Sequence, residues 1–241
     1  MHCSNLIKPL STKAIHRKTD RVWLFDLDNT LHDASHAVFA QIDVSMTKAI
    51  MKALDIGFVP ATALRQKYWE RYGATMIGME RHHGVNASRF LHMSHDFHAP
   101  DFVKPERNLA GLLQNAPGIK YILTNAPHEY ACSVLDTLGI RHCFAGICSI
   151  DQMRLQGTFR PKPSPALMYQ LLCQLKCKPT ETILVEDTLK NLKIAKQLHM
   201  KTVHIFNAGT PFSSKHKIRP AYVDLRVKSV HELLRHPFSH S

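Results

Sequence analysis

The stretch that most constrains the fold runs from Arg21 to Thr30 and reads RVWLFDLDNT. Its first half is a short apolar run, which is typical of a strand buried on both faces of a parallel sheet. Its second half places two carboxylates, Asp26 and Asp28, directly after that strand. Ligands of open α/β sheets bind beyond the carboxyl ends of the strands, so the segment predicts a site as well as a strand.

Similar apolar runs recur downstream and alternate with helical patterns. The predicted strands cover residues 119–124, 144–150, 182–186 and 201–206. The predicted helices between and around them cover residues 106–115, 128–138, 164–177 and 189–198. This alternation is typical of an α/β fold with a Rossmann-like parallel sheet flanked by helices. Residues 222–227 are a candidate edge strand.

Residues 33–100 break the alternation because they contain no convincing strand. They favour helices over 36–54, 61–79 and 86–97, and so predict an all-helical block inserted after the first strand. One stripe at helical spacing runs through this block, and its members are Tyr68, Tyr72, Met76 and Met79. Such a stripe packs the core of the block, or in part presents an aromatic face to a ligand.

The two ends of the chain are basic. The formal net charge of the 241 residues is +12, and much of the excess lies in residues 1–20 and 211–241. We expect residues 1–19 to form a basic extension and residues 211–241 to be a partly flexible segment. A basic balance favours anionic partners such as phosphorylated small molecules or nucleic acid. The chain has no zinc finger, aromatic RNP-type stretch or Arg-rich repeat, which disfavours nucleic-acid binding as the alternative function.

Composition also bears on the cellular compartment. No apolar run approaches the roughly 18 residues of a membrane span, so we expect no membrane partner. Residues 1–20 lack the apolar stretch of a secretory signal. The six cysteines form no C-x-x-C pair, which favours reduced thiols. Together these features predict a cytoplasmic protein.

Polar groups follow three further predicted strands or lie in the loops beyond them. They are Thr124 with Asn125, Lys162 between two prolines, and Glu186 with Asp187. Paired acids are the ligands that a hard cation prefers. Two carboxylates at the spacing of Asp26 and Asp28 can divide labour, one ionised as a nucleophile and the other held protonated as a general acid.

Taken in this order, the groups resemble the four motifs of the haloacid dehalogenase (HAD) superfamily of phosphohydrolases. The motifs are Asp26-Leu-Asp28-Asn-Thr30-Leu31, Thr124, Lys162 and Glu186-Asp187. The resemblance implies a HAD-like core built from residues 20–32 and 101–210. It also implies that the helical block, residues 33–100, is the inserted cap domain of that superfamily.

The resemblance implies a role for each motif residue. Asp26 would attack phosphorus and form an aspartyl phosphate, and Asp28 would protonate the leaving oxygen and then activate water. Thr124 would bind a phosphoryl oxygen, and Lys162 would neutralise charge on it and on Asp26. The cofactor would be Mg²⁺, and its expected protein ligands are the Asp26 carboxylate, the Asp28 main-chain carbonyl, Asp187 and, less directly, Glu186.

A narrower resemblance points to the pyrimidine 5′-nucleotidase branch. It rests on residues 27–32, 68–75, 124–126 and 186–188. It implies a Mg²⁺-dependent phosphomonoesterase that acts on nucleoside 5′-monophosphates and prefers those with a pyrimidine base. The substrate-binding candidates are Thr30, Asn125, Tyr72, Gly73 and Thr75. A phosphatase of a sugar phosphate or another small metabolite is the alternative with the same chemistry.

Two features depart from, or lie outside, these motifs. The fourth motif often carries a further acid near the position of Asn191, which is neutral here. The segment 82–98 is rich in histidine, but His92, His95 and His98 would spread too far around a helix to share one tetrahedral zinc. We expect these histidines to be solvated or packed in the core.

Overall fold

A computed structural model describes residues 5–10, 21–35, 37–104, 106–206 and 218–240. The strands in these ranges are β1 (Lys8–Pro9), β2 (Val22–Phe25), β3 (Ile119–Leu123), β4 (Gly146–Cys148), β5 (Arg154–Leu155), β6 (Thr158–Phe159), β7 (Thr182–Glu186), β8 (Lys201–Ile205) and β9 (Leu225–Val227). The α-helices are α1 (Val38–Leu54), α2 (Phe58–Tyr72), α3 (Thr75–His83), α4 (Ala87–Ser94), α5 (Leu109–Asn115), α6 (His128–Thr137), α7 (Pro165–Leu175), α8 (Leu189–Gln197) and α9 (Val230–Arg235).

The described strands form one large sheet with the order β1-β4-β3-β2-β7-β8-β9 and a separate hairpin of β5 and β6. Every pairing in the large sheet is parallel except that of β1 with β4. Phe25 of β2 lies between Ile122 of β3 and Val185 of β7. The predicted fold class is therefore confirmed, and the carboxyl ends of these three central strands meet at one edge.

The side chains of β2 alternate between the two faces of the sheet, and both faces of this strand are buried. Trp23 and Phe25 belong to one core cluster, which is completed by α5, α6 and α9. Val22 and Leu24 point to the other side of the sheet and belong to a second cluster, which is completed by α7 and α8. Helices thus cover both faces, as a run of buried apolar residues requires.

The helices α1–α4 pack around a core of their own. It contains Ile50, Tyr68, Met79 and Phe90, and Phe159 of the hairpin joins it. The predicted single helix over residues 61–79 is wrong: it is two helices, α2 and α3. Gly73 ends α2 in the left-handed region with φ +76°, a conformation that favours glycine.

The basic N-terminal extension predicted over residues 1–19 is described only in part. Residues 1–4 and 11–20 lie outside the described residues. Lys8 and Pro9, however, pair antiparallel with Ile147 and Gly146 at the edge of the sheet. Leu6 is fully buried in the second core cluster, which explains why this part of the basic segment is ordered.

Much of the described part of the C-terminal segment packs on the core. Residues 218–240 are described, and they contribute the predicted edge strand as β9 and the packed helix α9. Leu233 and Leu234 of α9 are buried against the same cluster as Trp23. Among the described helices, none is long and apolar enough to cross a membrane.

Asp224 joins this C-terminal segment to β8. Its carboxylate accepts hydrogen bonds from the Thr202 main-chain N–H at 2.9 Å and from Lys196 Nζ at 2.6 Å. Partial burial raises the pKa of Asp224, but these donors lower it more, so the net pKa lies below its usual value. Its stabilising effect is therefore present at neutral pH and is lost as the pH falls through that lowered pKa.

We expect Asp224→Ala to lower the free energy of unfolding by about 1–3 kcal/mol, because it leaves buried donors without an acceptor. Urea unfolding at neutral pH measures this. Asp136→Ala is the matched control, since it removes an exposed pair with Arg141 and should cost no more than about 1 kcal/mol. Equal losses in the two variants would contradict the role given to Asp224.

Candidate active site

Three buried carboxylates meet where β2 and β7 end. Asp26 follows β2, Glu186 ends β7, and Asp187 comes next in the chain. Each offers an oxygen, and these oxygens lie within 4.8 Å of one another. Because β2 and β7 are parallel neighbours, the two sequence motifs are brought to one point by strand pairing alone.

Lys162 lies between two of these carboxylates. Its Nζ is 2.5 Å from Asp26 Oδ1 and 2.8 Å from Glu186 Oε2, and the side chain is almost fully buried. Asn125 fixes the main chain of this lysine: its Oδ1 accepts from Lys162 N at 2.9 Å and its Nδ2 donates to Lys162 O at 3.0 Å. The structure thus shows that Asn125 positions the lysine, and its predicted contact with substrate stays a prediction.

The charges of the cluster do not balance. Burial, and then the charge of Glu186, raise the pKa of Asp26 to about 7 although Lys162 opposes the shift. Burial and the charge of Glu186 also hold the pKa of Asp187 well above its usual value. Burial is the largest cause of both shifts, and neighbouring negative charge, which one lysine does not fully offset, adds to it. An oxygen-rich, anionic site of this kind suits a hard divalent cation such as Mg²⁺.

The two acids of the fourth motif have different surroundings. Glu186 Oε2 accepts from Lys162 and, at 2.8 Å, from Asn191 Nδ2, and Oε1 accepts from the Thr188 main-chain N–H. Asn191 therefore serves to orient Glu186. The side chain of Asp187 accepts a weaker 3.2 Å hydrogen bond from Thr188 Oγ1. The Asp187 carboxylate thus has more lone pairs available to a cation than the Glu186 carboxylate.

Two threonine hydroxyls line the cluster. Thr30 Oγ1 donates to Asp26 Oδ2 at 3.1 Å, so this hydroxyl helps to orient the candidate nucleophile. Thr124 Oγ1 accepts from the Ala126 main-chain N–H at 3.0 Å. Since that bond uses a lone pair of the hydroxyl oxygen, the Thr124 proton stays available to donate to a ligand oxygen.

Asp28 is held by two residues that the sequence analysis gave no role. His32 Nε2 lies 2.9 Å from Asp28 Oδ1, and Tyr130 Oη donates to the same oxygen at 2.6 Å. Burial raises the pKa of Asp28, but the hydrogen bond and charge of His32 and the bond from Tyr130 lower it more. The lowered pKa favours the ionised carboxylate in the ligand-free site, whereas the sequence led us to expect a protonated one.

The sequence indicates these two partners of Asp28 to different degrees. His32 lies four residues after Asp28 and is visible in the local sequence. Tyr130 is separated from Asp28 by 102 positions and gives no local signal. A third supporting residue, His204 of β8, lies with Nε2 3.1 Å from the Asp187 main-chain oxygen and was likewise not foreseen.

The helical block reaches this site at Gly73. A Cβ at this position would lie 3.3 Å from the Lys162 main-chain oxygen, so the glycine allows close approach of the two backbones. Tyr72 Oη bonds His82 Nε2 at 2.6 Å, and the Arg71 guanidinium lies 5.4 Å from the ring centroid. Thr75 is buried and donates to the Arg65 carbonyl oxygen at 3.0 Å, so its hydroxyl is used within the block.

The histidines of segment 82–98 mostly pair with other side chains. His83 Nε2 lies 2.8 Å from Tyr68 Oη, which matches the packing role of Tyr68 in the stripe. His95 packs against Tyr130 with ring centroids 5.4 Å apart. His98 pairs with Asp101 at the surface.

Comparisons with known proteins agree with this geometry. A family model described as haloacid dehalogenase-like hydrolase matches residues 21–199. Among curated proteins, the Phosphate metabolism protein 8 of Saccharomyces cerevisiae is 27% identical over 156 residues, which are 60% of this chain and 48% of that protein. The chain thus spans about half the length of this relative. A phosphoglycolate phosphatase of Pseudomonas fluorescens is 22% identical over 81% of this chain and 74% of its own length.

Solved structures match the fold over most of the chain. The HAD phosphatase from Thermococcus onnurineus has a TM-score of 0.59 at 17% identity, and the match covers 88% of this chain and 95% of that one. The L-2-haloacid dehalogenase from Xanthobacter autotrophicus has a TM-score of 0.56 at 19% identity, with 92% and 99% covered. These neighbours include both dehalogenases and phosphatases, so the fold alone does not choose between the two reactions.

Proposed function

Because the chain belongs to the haloacid dehalogenase-like hydrolase family, we propose that it is a phosphatase of small phosphate monoesters. The observation that carries this choice is Asp28, a second carboxylate two residues after Asp26. A phosphate ester leaves as an alkoxide that needs a proton, whereas a halide leaves without one. A carboxyl group at this place is therefore useful to a phosphatase and has no use in a dehalogenase.

In the proposed reaction, an Asp26 oxygen attacks phosphorus, the ester P–O bond breaks, and the leaving oxygen takes a proton by way of Asp28. Since Asp28 is ionised in the ligand-free site, that proton arrives with a substrate bound as its monoanion. Asp28 then accepts a proton from the water that hydrolyses the aspartyl phosphate, which restores the Asp26 carboxylate. The sequence consumes one water and releases an alcohol and inorganic phosphate.

The surrounding residues hold the phosphoryl group during both steps. Lys162 donates to Asp26 Oδ1, so its positive charge lies beside the carboxylate that would attack phosphorus. Thr124 has a hydroxyl proton available for a phosphoryl oxygen. Mg²⁺, for which Asp26, Asp187 and the Asp28 main-chain carbonyl are the proposed ligands, would neutralise charge on the phosphoryl group. Fixed positive groups of this kind contribute most of the barrier reduction in phosphoryl transfer.

For the substrate, we propose nucleoside 5′-monophosphates, with pyrimidine bases preferred. The support is the sequence resemblance around Tyr72 and Gly73, and the contact of Gly73 with the Lys162 loop, which brings this part of the cap to the site. The phosphatase of another small metabolite is the second candidate, and the phosphoglycolate phosphatase relative favours it.

A panel of esters tests the substrate proposal, and it should include UMP, CMP, AMP, GMP, a sugar phosphate and phosphoglycolate. We expect kcat/KM to be higher for UMP and CMP than for AMP and GMP. Tyr72→Ala should reduce that preference, because it removes the aromatic ring beside Gly73. Hydrolysis of p-nitrophenyl phosphate, which has no base, should stay within about tenfold, on the order of 1.4 kcal/mol.

Two results would redirect the proposal. If wild-type kcat/KM were equal for purine and pyrimidine nucleotides, or highest for phosphoglycolate, the substrate would be another small metabolite. If Tyr72→Ala lost nucleotide and p-nitrophenyl phosphate activity to the same extent, Tyr72 would be a packing residue, in keeping with its contact to His82.

A further inference from the structure

The carboxylate of Asp28 is held asymmetrically. Both of its hydrogen bonds, from His32 and from Tyr130, converge on Oδ1. Within the described part of the chain, no residue donates to Oδ2. The side chain keeps 17% of its surface exposed, while that of His32 keeps 2%. Two buried donors therefore bind one oxygen and leave the other without a described donor.

His32 makes no competing contact that would explain its burial. Its Nδ1 is buried and has no hydrogen-bond partner among the described residues. Among the described residues, the imidazole thus makes its polar side-chain contact with Asp28. An unpaired buried nitrogen costs stability, so packing alone does not account for a histidine at this position.

Tyr130 is fixed from the opposite side, by the last residues of the helical block. Its ring packs against His95 at 5.4 Å and Phe97 at 6.2 Å between ring centroids. The hydroxyl donates to Asp28, across a sequence separation of 102 residues. Tyr130 therefore links the acid/base candidate to the segment where the cap rejoins the core.

We propose that Tyr130 and His32 are positioning residues that bind Oδ1 of Asp28 and so make Oδ2 the atom that transfers the proton. This inference rests on the phosphatase function proposed above. With Oδ1 occupied by two donors, rotation of the carboxylate is suppressed, and the free Oδ2 stays directed at the leaving oxygen. Positioning of this kind acts on proton transfer and leaves the attack by Asp26 unchanged.

The proposal predicts a loss that depends on the leaving group. Tyr130→Phe keeps the ring packing and removes only the hydroxyl. We expect kcat/KM for an alkyl phosphate such as UMP or glycerol phosphate to fall by about tenfold to a hundredfold, because an alkoxide needs general-acid help. For p-nitrophenyl phosphate, whose leaving group needs no proton, kcat/KM should fall by less than about threefold.

Tyr121→Phe is the matched control, because Tyr121 is another buried tyrosine, placed on β3 in the second core cluster, whereas Tyr130 belongs to the first. It should change neither value by more than about twofold, which is less than about 0.4 kcal/mol. At position 32, His32→Gln offers an amide N–H at a similar reach and should preserve part of the alkyl-phosphate activity. His32→Phe, which offers no donor, should show the same leaving-group dependence as Tyr130→Phe.

The outcomes separate this inference from the proposed function. If the wild type hydrolysed none of the esters, the phosphatase assignment itself would fail. If the wild type were active and Tyr130→Phe lost the same factor on both classes of ester, Tyr130 would only support the fold. If it lost nothing on either class, Oδ1 binding would be irrelevant to proton transfer, and the inference would be overturned.

Discussion

Asp26→Asn is expected to reduce the hydrolysis of every phosphate ester by roughly a thousandfold or more, because an amide does not attack phosphorus. The position is not replaceable by a neighbour. Glu186 is occupied by Lys162, Asn191 and Thr188, and Asp28 is held by His32 and Tyr130. Steady-state kinetics on p-nitrophenyl phosphate measures the loss, and circular dichroism checks that the variant is folded.

The matched control is Asp33→Asn, in the same loop. Asp33 is an exposed acid that accepts the Ser35 main-chain N–H, away from the carboxylate cluster. This variant should retain activity within about twofold, or about 0.4 kcal/mol of transition-state stabilisation. More than a few per cent of wild-type activity in folded Asp26→Asn would exclude a covalent role for Asp26.

Chelation is the second change with a large expected effect. Treatment with EDTA should abolish turnover, and Mg²⁺ should restore it, because three buried carboxylates face one lysine, and burial together with neighbouring negative charge raises the pKa values of Asp26 and Asp187. Mg²⁺ should also raise the Tm of the substrate-free protein, since a ligand that binds only the native state stabilises it. This second readout does not depend on activity.

Asp187→Asn sharpens the metal test. The variant should need a much higher Mg²⁺ concentration for half-maximal activity and should lose most of the Mg²⁺-dependent rise in Tm. Asp136→Asn, a change at an exposed surface pair, should alter neither quantity. Full activity after exhaustive chelation would remove the cation from the account.

Local patterns explain why much of the site could be predicted from the sequence. Asp26, Thr124 and Glu186 each lie at the carboxyl end of a mostly apolar strand, and parallel pairing of β2 with β3 and β7 brings those strand ends together. Lys162 lies in a loop rather than at a strand end, and its place depends on the Asn125 amide, a contact across 37 positions. Its role was therefore inferred from the resemblance and not from a local signal.

Contacts across long sequence separations account for what the sequence did not reveal. Tyr130 of α6 binds Asp28 from a distant part of the sequence. Asp224 binds β8 from the C-terminal segment, whose basic charge is typical of a solvated tail. The break between α2 and α3 was missed for a different reason. The apolar stripe continues in register past residue 73, whereas the backbone there adopts a left-handed conformation to meet Lys162.

The central claim is that Asp26 carries the phosphoryl group during turnover. Rapid acid quench of wild-type enzyme mixed with a substrate labelled in its phosphoryl group, followed by peptide mapping, tests it most directly. The account predicts label on the peptide that contains Asp26, formed and lost at rates compatible with turnover and absent from Asp26→Asn. Release of labelled phosphate at the full rate, with no label on that peptide at any quench time, would contradict it.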